Sequence, residues 1–374
     1  MMPRNRVLLV LSLCALAMCD FSTILTIAPN RLVAGQPVTF WQMGGGISSA
    51  IGAGCLVLLV LSFVPLARYA EYIVLILALA VLLLLLIEVG ARATVSVIFG
   101  PHGTRVSLGW GFWAIGFCLA MAIVDALQRL KAGTLARLVV FAVVIAGAAI
   151  IAFEGLFDGL SIAREYAARR DEFDAALGQH CVLVAIAVLL AVIIGAPLGL
   201  YVARQPQRSA GIFGVLNLLQ TIPSVALFGI LIAPLSALGI GGIGAVPAII
   251  ALVLYSLLPV VRNTEAGIAG VDRGVVDAAR GMGLTPAQIL WRIELPLGMP
   301  VFFAGLRIVT VQAIGLTVVA ALIGAGGLGS FVFQGIGQYA TDLVLLGALP
   351  TIALALAADF ILALLAGFFA RSRS

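Results

Sequence analysis

Residues Val271–Pro300 read VDRGVVDAARGMGLTPAQILWRIELPLGMP, a polar stretch of about thirty residues set between two long apolar runs. Asp272 is placed to N-cap a first helix that runs through Val275, Ala278, Ala279 and Met282, and Gly283 supplies the left-handed position that stops it. Thr285 opens a second helix, because Thr-Pro-Ala-Gln puts Pro286 at the first helical position and Gln288 where a capping box needs it. Pro296 disfavours helical geometry at Leu295 and is expected to end that helix. Helix, glycine, helix and proline make a bent lever that meets something soluble. An amphipathic connector between two membrane spans is the plainer alternative for the same residues.

The surroundings of this stretch fix its solvent. Of 374 residues, 63% are apolar and 10% charged, with mean hydropathy +1.22. Such a chain has too little polar surface for a water-soluble fold. Runs of about twenty apolar residues, enough to cross ~30 Å of hydrocarbon, fall near 7–28, 46–66, 72–90, 108–127, 136–153, 180–203, 210–233, 244–261, 300–323 and 343–369. Glycines and prolines inside these runs suit helices better than barrel strands, because lipid leaves no backbone group unpaired. The fold class expected is an all-α polytopic membrane protein of about ten spans.

The basic residues orient it. With the N-terminus inside, the inner segments hold Arg4, Arg6, Arg68, Arg129, Lys131, Arg137, Arg204, Arg208, Arg262, Arg273, Arg280, Arg292, Arg371 and Arg373. The outer segments hold only Arg31, Arg92, Arg105, Arg164, Arg169 and Arg170, and Arg307 falls inside a span. The positive-inside rule therefore places both termini and the lever in the cytoplasm. The net charge of +5 reflects this topology. It gives no support to nucleic-acid binding, because the charges are spread over separate loops without clustered aromatics. Arg4, Arg6 and the apolar run before Cys19 imitate a cleaved signal, but Met18 is a poor lipoprotein context and more spans follow, so the segment reads as a signal-anchor helix. Cys14, Cys19, Cys55, Cys118 and Cys181 lie in or at the ends of apolar runs, without metal-ligand spacing, and read as small core residues.

Composition divides the chain. Residues 1–155 form a five-span region with little polar chemistry, and 156–179 alternate charge and alanine as an external amphipathic linker helix. Residues 180–374 carry patterned glycines and prolines. Within them, Gln220-Thr221-Ile222-Pro223-Ser224 lies inside a span. Leu254-Tyr255-Ser256-Leu257-Leu258-Pro259 runs into Arg262-Asn263-Thr264, and Ile323-Gly324-Ala325-Gly326-Gly327-Leu328-Gly329 follows the lever.

Asp277-Ala278-Ala279, then Gly283, then Leu295-Pro296 resembles the cytoplasmic EAA loop of permease subunits in ATP-binding-cassette importers, here spanning 263–298. Asp277 stands where that family most often has Glu, and keeps the carboxylate. Taken with the three signatures above, DAARGMG and ELPLGMPV resemble the osmoprotectant branch, which serves glycine betaine, choline, carnitine and proline. The first half resembles the extra spans of its long permease variant. The resemblance implies a permease without catalytic residues or cofactor, working with a pair of cytoplasmic ATP-binding subunits that use ATP and Mg. It also implies an extracytoplasmic substrate-binding protein and a second permease, as homodimer or as heterodimer with a shorter subunit, in the lipid of a bacterial inner membrane. Asp277, Ala278, Ala279, Arg280 and Gly283 are then the ATPase contact.

Each motif also has a physical reading. Pro223 removes a backbone donor in mid-membrane and bends its helix, leaving carbonyls for Gln220, Thr221, Ser224 or water to satisfy. These residues and Tyr255 are candidates for the translocation path, with helix packing as the alternative. Gly324, Gly326, Gly327 and Gly329 match GxGxxG, but the run follows a membrane helix and lacks a suitably placed acidic residue after it, so a tight outer turn is the better reading than a dinucleotide site. Leu235–Gly244 reads as a second outer turn near it. Asp20, Glu88, Asp125, Glu154, Arg307 and Asp359 call for partners or interfacial solvation. Lys131 is the only lysine and Ala132 follows it, so no P-loop is present. His102 and His180 are isolated, and no metal site is expected. Two alternatives stay open: the same architecture importing another solute, such as methionine or a sulfonate, and an ion-driven secondary transporter with mid-membrane carboxylates.

Overall fold

The computed structural model describes residues 4–30, 33–64, 68–101 and 103–371, and it divides into two compact units, Met1–Ala168 and Arg169–Ser374. Arg31, His102 and Arg373, assigned above from sequence, lie outside the described residues.

The first unit runs α1 (Arg6–Phe21), β1 (Thr23–Ala28), β2 (Gln36–Thr39), α2 (Phe40–Met43), α3 (Gly46–Leu61), α4 (Arg68–Phe99), β3 (Arg105–Leu108), α5 (Trp110–Arg129), α6 (Thr134–Phe153) and α7 (Ser161–Ala168). Asn5 caps α1 by accepting from the Leu8 N–H at 2.9 Å. The span expected over 7–28 is helical only to Phe21, and Ser22 turns the chain into extended geometry. The β-branched run Thr23-Ile24-Leu25-Thr26-Ile27 then forms the centre of an antiparallel sheet ordered β2-β1-β3. Its register pairs Leu25 with Val38 and Ile27 with Val106. The helical fold class holds, with this small sheet added to it: an apolar strand directly after an apolar helix looks in sequence like more of the same helix.

Chain direction puts all three strands at one end of α1, α3, α4 and α5. At the other end, Asp125 accepts from Asn5 Nδ2 and Arg129 Nε, both at 2.8 Å. Three of the carboxylates singled out from sequence are thus engaged within this unit. Glu88, buried in α4, accepts from Ser48 at 2.9 Å and Arg92 at 3.0 Å. Asp20 accepts from the Trp41 indole at 2.6 Å. One continuous apolar core joins α1, α3, α4, α5 and the sheet.

The linker helix expected over 156–179 is not one helix. Its first part is α7, fastened to β3 by Arg164 donating to the Thr104 carbonyl at 2.8 Å and by the Arg105–Glu165 ion pair. Arg169, with φ −129° and ψ 29°, interrupts the helix, and Arg170 already begins the next one. Asp171 and Glu172 sit in that first turn, where the helix dipole favours negative charge.

The second unit runs α8 (Arg170–Arg204), α9 (Pro206–Thr221), α10 (Ser224–Ala237), α11 (Ala245–Ala269), α12 (Arg273–Gly281), α13 (Pro286–Ile289), α14 (Leu295–Ala320), α15 (Gly329–Gly337) and α16 (Thr341–Arg371). Helix α11 is central, packed on α8, α9, α10 and α14. Small residues permit its close approaches: a Cβ on Gly195 would lie 2.8 Å from Val260, and one on Gly298 would lie 2.8 Å from the Gly267 carbonyl. The apolar core here is divided among separate clusters.

Seven helices among the described residues are long and apolar enough to cross a membrane. Of the remaining expected runs, 210–233 is a pair of helices bent by 100°, 46–66 contains the shorter Gly46–Leu61, and 7–28 is the helix and strand described above.

Candidate functional site: the lever, the broken span and the glycine turn

The lever forms from its own capping chemistry. Asp272 accepts from the Gly274 N–H at 2.6 Å and opens α12. Gly283 has φ +84°, with no neighbour that a side chain would strike, so backbone conformation alone demands glycine there. Thr285 and Gln288 form the capping box of α13, with Pro286 in its first turn. Val275, Ala278 and Met282 face outward along one stripe of α12, beside an exposed Asp277–Arg280 ion pair of 3.1 Å. Ala279, expected on the contact surface, is instead buried, and its carbonyl accepts from the Leu284 N–H at 3.2 Å. Two adjacent positions on a helix point about 100° apart, so Ala278 and Ala279 cannot share one face.

Pro296 does not end the second arm. Leu290–Glu294 form a π-helical turn, in which the Leu295 N–H bonds back to the Leu290 carbonyl, and α14 continues from Leu295. The wider turn relieves the clash that a proline ring makes with the carbonyl four residues earlier. The lever therefore leads directly into a membrane helix.

The proposed path residues meet around a break. Between Thr221 and Ser224 the chain turns sharply at Ile222-Pro223. Tyr255 of α11 donates its hydroxyl to the Ile222 carbonyl, and Gln220 donates its amide to the Tyr255 carbonyl at 2.9 Å. Thr221 satisfies only its own helix, donating to Leu218 at 2.7 Å. Ser224 begins α10 and is half-buried. The Ile222 carbonyl, left open at the break, is thus satisfied from the neighbouring helix by Tyr255, and Gln220 in return satisfies the Tyr255 carbonyl that Pro259, lacking an N–H, leaves without its helical donor.

At the other end of α11 the glycine turn follows a single 3₁₀ turn. Gly324, Gly326 and Gly327 adopt φ of +75°, +75° and +76°, whereas Gly329 is already helical in α15. Gln179 of α8 enters this turn, donating to the Ala325 carbonyl at 2.8 Å and accepting from the Gly327 N–H at 3.3 Å. The neighbouring His180 is fully buried against it; a Cβ on Gly327 would lie 3.2 Å from the imidazole. The Leu235–Gly244 turn reaches the same place, since Gly244 donates to the Ile323 carbonyl at 2.8 Å.

Two charge pairs complete the unit. Arg307 and Asp359, the latter expected in the interfacial region, form a two-pronged ion pair between α14 and α16 at 2.9 and 2.8 Å. Arg204 and Glu294 form another, with Nη1 to Oε1 at 2.9 Å. Sequence reading did not single out Arg204 or Glu294. The available signal was a lone carboxylate between apolar neighbours in Ile293-Glu294-Leu295-Pro296, one turn from a helix bend.

A bundle of interrupted spans with a capped polar lever is the architecture of a membrane permease. Residues 195–371 match the family described as binding-protein-dependent transport system inner membrane component, and residues 4–163 match the N-terminal domain of the ABC transporter permease YehY. The choline transport system permease protein OpuBB of Bacillus subtilis is 40% identical over 50% of this chain and 82% of its own. The carnitine transport permease protein OpuCB of Listeria monocytogenes is 41% identical over 49% of this chain and 82% of its own. The osmoprotectant import permease protein OsmW of Salmonella typhimurium is 45% identical over 49% and 85%. The chain belongs to the osmoprotectant-type family of ABC importer permeases, in a long form with additional N-terminal helices, and is a multi-pass inner-membrane protein.

Proposed function

We propose that this chain, paired with a second permease, moves a compatible solute such as glycine betaine, choline, carnitine or proline into the cytoplasm by alternating access. The observation that carries this reading is the capped lever, whose outward stripe of Val275, Ala278 and Met282 beside the Asp277–Arg280 pair is shaped to enter a groove on a soluble protein. A cytoplasmic pair of ATP-binding subunits supplies that groove and spends ATP and Mg, and closure of the pair pulls on α12. The termini and the lever lie in the cytoplasm on the strength of the basic residues. An extracytoplasmic binding protein delivers solute near the glycine turn, and the broken span at Pro223 borders the path. The substrate class rests on the relatives, which are named for choline, carnitine and osmoprotectant transport. Recognition of a quaternary ammonium group by aromatic faces belongs to the binding protein.

The test is uptake of labelled glycine betaine, choline, carnitine and proline by cells that lack other uptake systems and carry the chain with its ATP-binding subunits and binding protein. ATP-dependent accumulation of at least one of these solutes, lost when the binding protein is omitted, is the expected result. Transport confined to an unrelated solute would redirect the substrate assignment.

A further inference from the structure

Helix α8 spans 35 residues, about 52 Å at 1.5 Å per residue, and is held in its first third and at its last residue. Toward its start, Gln179 is bonded into the glycine turn through Ala325 and Gly327. At its last residue, Arg204 extends a guanidinium to Glu294, the final residue of the π-helical turn that joins the lever to α14. Glu294 is only 3% exposed, and its two oxygens meet the two Nη atoms of Arg204. A planar two-bond pair fixes orientation as well as distance. Arg204 also borders a small cavity with Arg280, Leu284, Pro286 and Ile289 of the lever. Arg280 is engaged by Asp277 on its own helix. Between these ends, Gly195 and Gly199 seat α8 closely on α11.

We infer that Arg204 and Glu294 are the fastening through which the lever moves α8, making them positioning residues for transport. This inference rests on the proposed importer function. A load applied to α12 reaches Glu294 through the capped second arm. The pair passes it to the end of α8, whose far part holds the glycine turn. The π-helical turn is where the backbone can lengthen or shorten by one hydrogen-bond register, so the charge pair keeps that adjustable turn attached to α8 as it works.

The experiment uses the complete transporter, with its ATP-binding subunits and binding protein, and measures solute uptake and ATP hydrolysis on the same preparation. Glu294→Gln and Arg204→Gln each keep hydrogen-bonding capacity and remove one charge. Each is expected to leave association with the ATP-binding subunit unchanged, to lower uptake about tenfold, and to raise the ATP consumed per solute, a coupling loss within the usual range. The exchanged pair Arg204→Glu with Glu294→Arg is expected to recover uptake relative to either single charge reversal. A purely structural role would lower hydrolysis and uptake together, in proportion to inserted protein, and that proportional fall would overturn the inference, as would single variants with wild-type uptake. A wild-type chain that neither binds an ATP-binding subunit nor supports uptake would instead remove the transport reading itself.

Discussion

The two units are held together in different ways. In the first, Glu88 and Asp125 are bonded to partners beside one continuous core, and the three-stranded sheet ties loops together at one end. In the second, the core is divided, a span is broken by 100°, five helices carry an internal proline, and the Arg307–Asp359 pair is only about two-thirds covered. A partly covered ion pair inside membrane helices is too costly to face lipid, so its surroundings are protein or water in the assembled transporter. The first unit is knit into a single core, whereas the second is assembled from interrupted helices around several smaller clusters.

That contrast predicts opposite rankings for stability and for transport. The largest stability effect is expected from Arg92→Leu in the first unit, which leaves the Glu88 carboxylate buried with Ser48 alone. The loss is on the order of 3 kcal/mol, read as a lower thermal midpoint of the purified chain. Uptake per inserted molecule should be unchanged, and a specific transport defect with normal stability would break the contrast. Tyr255→Phe should cost less, about 1–2 kcal/mol for a carbonyl left without its donor. Because that carbonyl sits at the broken span, uptake should fall while association with the ATP-binding subunit persists. Uptake equal to wild type would remove the break from the transport path. The smallest stability change is expected from Asp277→Lys on the exposed face of α12, within about 0.5 kcal/mol. Uptake should nevertheless be lost, as both the charge and its pairing with Arg280 are reversed.

The lever was legible in sequence because its signals are local. Asp272, Gly283, Thr285, Pro286 and Gln288 each fix a dihedral or a cap within a few residues of themselves, and each does so in the structure. Pro296 misled because its effect depends on the turn before it: a regular α-helix would have broken, whereas a π-helical turn carries the chain through. The strand Thr23–Ala28 was hidden by the apolar helix that precedes it, and its pairing with residues about eighty positions away in β3 leaves no local mark. The charge pairs were half visible. An arginine and an aspartate inside apolar runs announce that partners are needed, but only the packing of α14 against α16 says that Arg307 and Asp359 are each other's. Ala279 shows the limit of motif reading most plainly. It lies within the recognised triplet, and helical geometry turns it inward.

The most direct test of the account is site-directed cross-linking from α12. In a background with Cys14, Cys19, Cys55, Cys118 and Cys181 replaced, cysteines are placed singly at Ala278 and at Ala279, and the chain is expressed with its ATP-binding subunit. A cross-linked product is expected from Ala278→Cys, weakened by solute-driven ATP turnover as the contact rearranges, and little or none from the buried Ala279→Cys. Absence of any product from Ala278→Cys, in a chain that still supports ATP-dependent uptake, would contradict the claim that this lever is where the permease meets its energy source.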